Sequence, residues 1–351
     1  MEKIAIMTAW NTDSGVFFHA YPLVRAWREM GLEVHVLSFI KDDFHGRVMF
    51  GPDEPFVIRC FGTPKTNFLD PRPLLTLDYD VLVLEDLKQL PMAKLALIWH
   101  RIRRKARAVV HVLHENSILG RRPPQPPEFF ALDCDAVVFF DPRQEQLART
   151  LYGDRVHYIP WPCMPKRTGD KRKAREALGL PADKRVVLCY ARGSYQPYLP
   201  KLPDEALEDV LFLVLTGREF DWSDYPQVEV HLTPPLSNQE LDRYAFAADA
   251  IVLHKLSTPA VPLALTSTAA YFFLGTLRPI LVPRLGDPFE PLGSEVLKYA
   301  DRRELRDLLV DALELGPRAR EALEAAERVL AERSPEKVAR MFLELFEELV
   351  G

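Results

Sequence analysis

Short apolar runs alternate with amphipathic stretches along the first half of the chain. The apolar runs fall at residues 3–8, 33–39, 56–60, 81–84, 108–113, 136–140 and 156–159. Runs of this length between helix-period stretches predict parallel strands joined by helical crossovers. The first helix is expected to begin near Gly15 and end at Gly31, with Pro22 bending it. A later helix is expected from Asp141, with Pro142 in its first position and Gln144 three residues after the cap.

The pattern breaks at Trp161-Pro162-Cys163-Met164-Pro165, and a polar stretch and a short helix ending near Gly179 follow. This predicts a hinge segment between two domains. Alternation then resumes, with strands expected at 185–191, 210–216, 228–232, 250–253 and 279–282, and helices at 238–247, 268–274 and 302–313. The tail 317–350 reads as helical, interrupted at Ser334-Pro335. The division expected is 1–162, 163–334 and a final helix, 335–351, packing back on the first domain.

At 351 residues, 48% hydrophobic and 27% charged, the chain suits two soluble cores better than one. No apolar run reaches the roughly 18 residues of a membrane span. The opening MEKIAIMTAW reads as a strand rather than a secretory leader, so the location expected is the cytoplasm. Lys and Arg number 45 against 50 Asp and Glu, and no basic domain points to nucleic acid. Only four Asn and seven Gln occur, a composition of the thermophile kind. Cys60, Cys134, Cys163 and Cys189 show no zinc or disulfide spacing and read as buried apolar residues. Residues 95–107, LALIWHRIRRKAR, combine an apolar side with many cations, and a peripheral membrane contact through them is a second expectation of location.

In open α/β sheets ligands gather at the carboxyl ends of the strands. Two D-x-D triplets, Asp78-Tyr79-Asp80 and Asp133-Cys134-Asp135, precede strands and lie at the wrong end, so no metal is assigned to them. The loop Asn11–Gly15 after the first strand runs into a helix start and suits phosphate or sugar hydroxyls, although it is not G-x-G-x-x-G. Glu85-Asp86 follow the fourth strand, and His114-Glu115-Asn116 follow the fifth. A histidine or carboxylate delivered there can orient hydroxyls or move protons. His111, within the strand, reads as a satisfied core residue. In the second half Arg192-Gly193 ends a strand, with Lys201 on the following loop; an arginine there can grip a phosphate with two hydrogen bonds. Thr266-Ser267-Thr268 opens an apolar helix whose free amides favour an anion.

In this order the segments resemble the family-4, retaining glycosyltransferases of GT-B fold. The segments are NTDSGVFFHAYPLVRAWREMGLEVHVLSF, HENS, YARGS, LDRYAFAADAIVL and TSTAAYFFLGTLRPILVPRLGDPFE, and the likeness covers nearly the whole chain. It implies two Rossmann-like α/β/α domains facing across a cleft. It also implies sugar transfer from a nucleotide-sugar donor to an acceptor hydroxyl, with retention and with no metal or other cofactor. The acceptor could be a sugar, a lipid or a small molecule. His114 and Glu115 take the catalytic positions, Arg192, Gly193, Lys201, Thr266, Ser267, Thr268 and Glu290 the donor side, and Ser14, Gly15, His19 and Asp86 the acceptor side. The family usually carries two glutamates eight positions apart near the closing helix; here those positions hold Pro262 and Ala270. Their loss keeps open a binding-only GT-B protein, and a nucleotide-sugar epimerase of similar fold is a further alternative.

Overall fold

The computed structural model describes residues 1–40, 50–114, 132–191, 198–217, 219–254, 266–284 and 287–351. Two compact units result: Met1–Pro162 together with Pro335–Gly351, and Cys163–Ser334.

The first unit holds a seven-stranded, wholly parallel sheet. Its strands are β1 (Lys3–Met7), β2 (Glu33–Phe39), β3 (Val57–Phe61), β4 (Val81–Glu85), β5 (Ala108–Val112), β6 (Ala136–Phe139) and β7 (Val156–Tyr158). They lie in the order β3-β2-β1-β4-β5-β6-β7. All residues of β4 and β5 are buried, as expected of strands covered on both faces. The order reverses between β1 and β4, where neighbouring crossovers leave in opposite directions and open a crevice at the carboxyl ends.

Helix α1 (Gly15–Glu29) starts where the Ser14 side chain accepts a hydrogen bond from the Val16 amide, and it runs on through Pro22 without ending. Gly31, at φ 91°, supplies the left-handed turn that follows it. The crossover from β3 to β4 carries α2 (Arg72–Thr76), and that from β4 to β5 carries α3 (Met92–Lys105). The helix expected from Asp141 begins as a single 3-10 turn with a full Asp141–Gln144 capping box, and α4 (Glu145–Tyr152) follows.

The second unit contains α5 (Lys171–Leu178) and a six-stranded parallel sheet of β8 (Arg185–Tyr190), β9 (Val210–Thr216), β10 (Val228–Leu232), β11 (Ala250–Leu253), β12 (Ile280–Pro283) and β13 (Leu297–Tyr299). Its order, β10-β9-β8-β11-β12-β13, reverses between β8 and β11. The remaining helices of this unit are α6 (Asn238–Ala247), α7 (Thr268–Leu274), α8 (Arg302–Glu314) and α9 (Pro317–Glu332). β13 was not expected, because three residues carry no readable period.

The chain then returns to the first unit as α10 (Pro335–Val350). Val338, Ala339, Phe342, Leu345 and Phe346 form its buried stripe. The stripe packs on α1, where Trp27 lies 5.8 Å from both Phe342 and Phe346 and donates its indole N–H to the Ala339 carbonyl at 3.1 Å.

In the second unit His254, just past β11, is buried; it stacks on Tyr198 at 3.9 Å and its Nδ1 lies 2.7 Å from the Tyr299 hydroxyl. Burial, helped by the Arg302 charge, pushes its pKa down from 6.5 to about 4. The unfolded chain therefore binds a proton that the folded one refuses between these values. Stability from this group is complete above pH 6.5 and is lost as pH falls toward about 4. The expected loss in the second unit is on the order of 3 kcal/mol. Urea titrations of wild type and His254→Phe at pH 7 and pH 4.5 check this: the variant should lose distinctly less stability on acidification, and an equal loss in both would remove His254 as the cause.

Candidate functional site

β1 and β4 pair in register, Met7 against Leu84, so the next residues, Thr8 just past β1 and Glu85 at the end of β4, lie side by side at the switch point of the sheet. Both are buried. Thr8 Oγ1 donates to Glu85 Oε2 at 2.8 Å. The other carboxylate oxygen, Oε1, lies 2.7 Å from Nδ1 of His19, also buried. His19 comes from the second turn of α1 and falls on its inward stripe with Val16, Ala20, Leu23 and Trp27. With Nδ1 turned to the carboxylate, Nε2 is the ring nitrogen that this contact leaves unused.

His114 stands two residues beyond β5. Its ring is 5.0 Å from that of His19, 5.1 Å from Phe140 and 5.7 Å from Trp161. Its Nε2 is buried and has no hydrogen-bond partner among the described residues. Desolvation first, then the neighbouring His19 and His111, hold its pKa well below the usual histidine value, so the ring is neutral at pH 7. Trp161 closes the set at 4.9 Å from His19. Three strand ends and one helix thus converge on a cluster of one carboxylate and two imidazoles beside Phe140 and Trp161.

The loop before α1 is fixed largely by its own polar side chains. Asn11 takes the left-handed conformation, φ 50°, which Asn tolerates better than most residues. Its amide donates to Asp53 at 3.2 Å and Glu54 at 3.3 Å, while Arg59 binds Asp53 and the Trp10 carbonyl. Ser14 caps α1, Gly15 is its first residue, and Asp86 accepts from the Gln89 side chain in a tight turn. Ser14 and Asp86 therefore already have partners within the fold, whereas His19 lies in the convergent cluster. Glu85, buried in that cluster, is the residue that sequence reasoning left outside its site set. The only signal for it is a charged residue closing the all-apolar run VLVL.

His111 lies buried in β5 against Tyr152. The D-x-D aspartates serve the amino edge of the sheet. Asp80 accepts from the Glu2 and Lys3 amides, Asp135 from the Val109 amide and Arg103, Asp78 from Lys3, and Asp133 from Arg155. All four cysteines are free and buried, and burial pushes the Cys60 thiol to about 12.

In the second unit, Lys201 follows β8, Thr266–Thr268 follows β11 and Glu290 follows β12, three neighbouring strands around the switch point. Lys201 and Glu290 are exposed, and Thr266 and Ser267 are buried. The Ser267 hydroxyl caps α7 by accepting from the Ala270 amide at 3.2 Å, and Ala270 is fully buried. Glu115, Arg192, Gly193 and Pro262 lie outside the described residues.

No family model matches the sequence. Solved structures do match over the full length. Sucrose-phosphate synthase from Thermosynechococcus elongatus is 15% identical, with 99% of each chain covered and a TM-score of 0.61. The catalytic domain of starch synthase IV from Arabidopsis thaliana, bound to ADP and acarbose, is 11% identical, with 100% of this chain and 99% of that one covered and a TM-score of 0.62. An alpha-glucosyltransferase in complex with UDP is 13% identical, with 100% of each chain covered and a TM-score of 0.60. With two parallel sheets, each reversing order once, and a last helix returned to the first unit, this chain has the GT-B fold.

Proposed function

We propose that the protein is a glycosyltransferase that moves a sugar from a nucleotide-sugar donor to an acceptor hydroxyl. The observation that carries this reading is the Thr8–Glu85–His19 relay, buried at the switch point of the first sheet in a GT-B chain. A carboxylate that fixes one imidazole nitrogen leaves the other poised to take a proton. The acceptor hydroxyl is assigned to the first unit, with His19 facing it as base or orienting group according to the stereochemical course and the buried Nε2 of His114 as a further polar contact; Glu115, Ser14, Gly15 and Asp86 complete the assignment. The donor is assigned to the second unit, with its diphosphate on Arg192, Lys201 and the Thr266–Thr268 helix start, and with Gly193 and Glu290 completing the donor side. ADP and UDP in two of the similar structures support a nucleotide donor.

The transfer needs no metal or other cofactor on this reading. Retention is the outcome that the family-4 resemblance implies. In that course the departing diphosphate takes the acceptor's proton and the relay orients the hydroxyl. A relay that itself takes the proton suits a single displacement, with inversion. The anomeric configuration of the product, read by proton coupling against that of the donor, separates the two.

The test is incubation with a panel of nucleotide sugars and candidate acceptors. Nucleotide release that depends on an added acceptor is expected. Binding of a nucleotide sugar with no turnover would favour a binding-only protein, and donor isomerisation without nucleotide release would favour an epimerase.

Among the described residues no helix is long and apolar enough to cross a membrane. A peripheral contact is proposed on α3, where Lys94, Leu97, Arg101 and Arg104 recur at helical spacing and are all exposed, Leu97 by 70%. Each cation near an anionic surface contributes about 1 kcal/mol. Co-sedimentation with phosphatidylglycerol vesicles is expected, and it should drop when Arg101 and Arg104 are replaced by Gln. Equal pelleting with neutral phosphatidylcholine vesicles would remove the proposal.

A further inference from the structure

His19, Glu85 and His114 are arranged for more than one hydrogen bond. One donor atom from each lies within 4.8 Å of the other two. We infer that these three side chains form a binding site for one transition-metal dication of the zinc class, and that its occupancy excludes the proton-accepting role of His19.

The donor set selects the ion class. Two imidazoles and one carboxylate suit zinc, copper, nickel or cobalt, whereas magnesium and calcium favour oxygen ligands in greater number. Three protein ligands leave a fourth position for water, the arrangement of an open zinc site. The ligands come from well-anchored places: the end of β4, the second turn of α1 and the residues just past β5. Glu85 is already oriented by Thr8 through the oxygen that does not face His19, the kind of support that holds a ligating carboxylate in place.

A second observation points the same way. His114 Nε2 is buried and has no hydrogen-bond partner among the described residues. A buried polar atom without a partner costs free energy, and a metal bond would satisfy it. The walls, Phe140 and Trp161 beside both imidazoles with Phe342 beside His19, offer no competing donor set and keep the local dielectric low. Zinc bonds of about 2.1 Å place tetrahedral ligand atoms roughly 3.4 Å apart, so separations of up to 4.8 Å must close while the 2.7 Å His19–Glu85 contact opens. Rotation of the three side chains about their χ angles would supply this, with the His19–Glu85 hydrogen bond given up and the single imidazole proton of His19 carried on the nitrogen that does not ligate. The D-x-D aspartates and the four cysteines take no part.

The inference does not rest on glycosyl transfer, although it uses residues of the proposed acceptor site. The full chain, stripped with EDTA and desalted, is titrated with zinc chloride by calorimetry and equilibrium dialysis. One equivalent should be retained and the thermal midpoint should rise. His114→Ala and His19→Ala should each weaken binding by at least about a hundredfold, and Thr8→Val by about 10- to 100-fold. His100→Ala, a change on the exposed face of α3, should bind like wild type. Cobalt in place of zinc should give visible ligand-field bands without thiolate-to-metal charge transfer.

Uptake well below one equivalent overturns the inference, as does uptake unchanged in both histidine variants or a thiolate band. Should His19→Ala fail to fold, judged by circular dichroism, His114→Gln decides. Absence of zinc binding with intact acceptor-dependent transfer in EDTA would sink the metal site alone. Zinc binding in a protein inert toward every nucleotide sugar would sink the transferase reading alone.

Discussion

His19→Ala is expected to lower the turnover number for sugar transfer by about 10²- to 10⁴-fold, the usual contribution of a positioned general base. The donor's dissociation constant should stay within about threefold, because His19 lies in the first unit and the donor is assigned to the second. The effect comes from geometry. The imidazole is held 2.7 Å from a carboxylate that Thr8 fixes at 2.8 Å, so its basic nitrogen is preset rather than searching. Glu85→Gln should reproduce most of the loss, since an amide can take the place of the carboxylate but cannot stabilise the imidazolium formed by proton transfer. Steady-state rates with a saturating donor, paired with nucleotide titration by calorimetry, make the check. A loss below tenfold in His19→Ala, with folding intact, takes the relay out of proton transfer and leaves it an orienting role.

Phe342→Ala is expected to destabilise the first unit by about 3–5 kcal/mol. Its ring is fully buried and meets Trp27 and Phe346 at 5.8 Å and His19 at 6.3 Å. Truncation opens a void that these rigid rings cannot fill, and it loosens the attachment of α10 to α1. A unit of this size should unfold roughly 10 °C earlier. With two units, unfolding need not be a single two-state event, so a probe confined to the first unit, such as hydrogen exchange in β1 and β4, is the measurement required. A midpoint within 2–3 °C of wild type would mean that α10 is not the clamp described here. The same variant should also lower transfer modestly, because Phe342 backs the His19 ring.

Much of the fold was legible because its signals are local. Strands β9 and β11 begin and end where the apolar runs do, since fully covered parallel strands demand unbroken apolar residues, and β2 and β10, which are less covered, keep the same ends with polar residues among the apolar ones. The starts of α6 and α7 follow from Ser237 and Ser267, whose hydroxyls accept the first free amides. The turn after α5 follows from Gly179, at φ 70°. The short pieces escaped for the same reason: α2 and β13 are three to five residues long, too short for a period to show.

The site was legible only in part. His114 is conspicuous as a polar residue closing an apolar run, and the strand rule sends it to the ligand end of the sheet. His19 is less conspicuous, one polar position in a helix stripe otherwise filled by Val, Ala, Leu and Trp. Glu85 is least so, because a lone acid after VLVL also fits an ordinary strand end.

By itself the sequence determined the two alternations of strand and helix, the helix ends and the order of the polar loops, because each depends on residues within a few positions of one another. Only the tertiary structure decided that Thr8 and Glu85, 77 positions apart, share a hydrogen bond and that Glu85 and His19, 66 apart, form a pair. The physical reason is strand order. Pairing β1 with β4, rather than with the later strand nearest in sequence beyond β2, is settled by how the crossovers pack over the whole sheet, and that choice leaves no mark on any short stretch of chain.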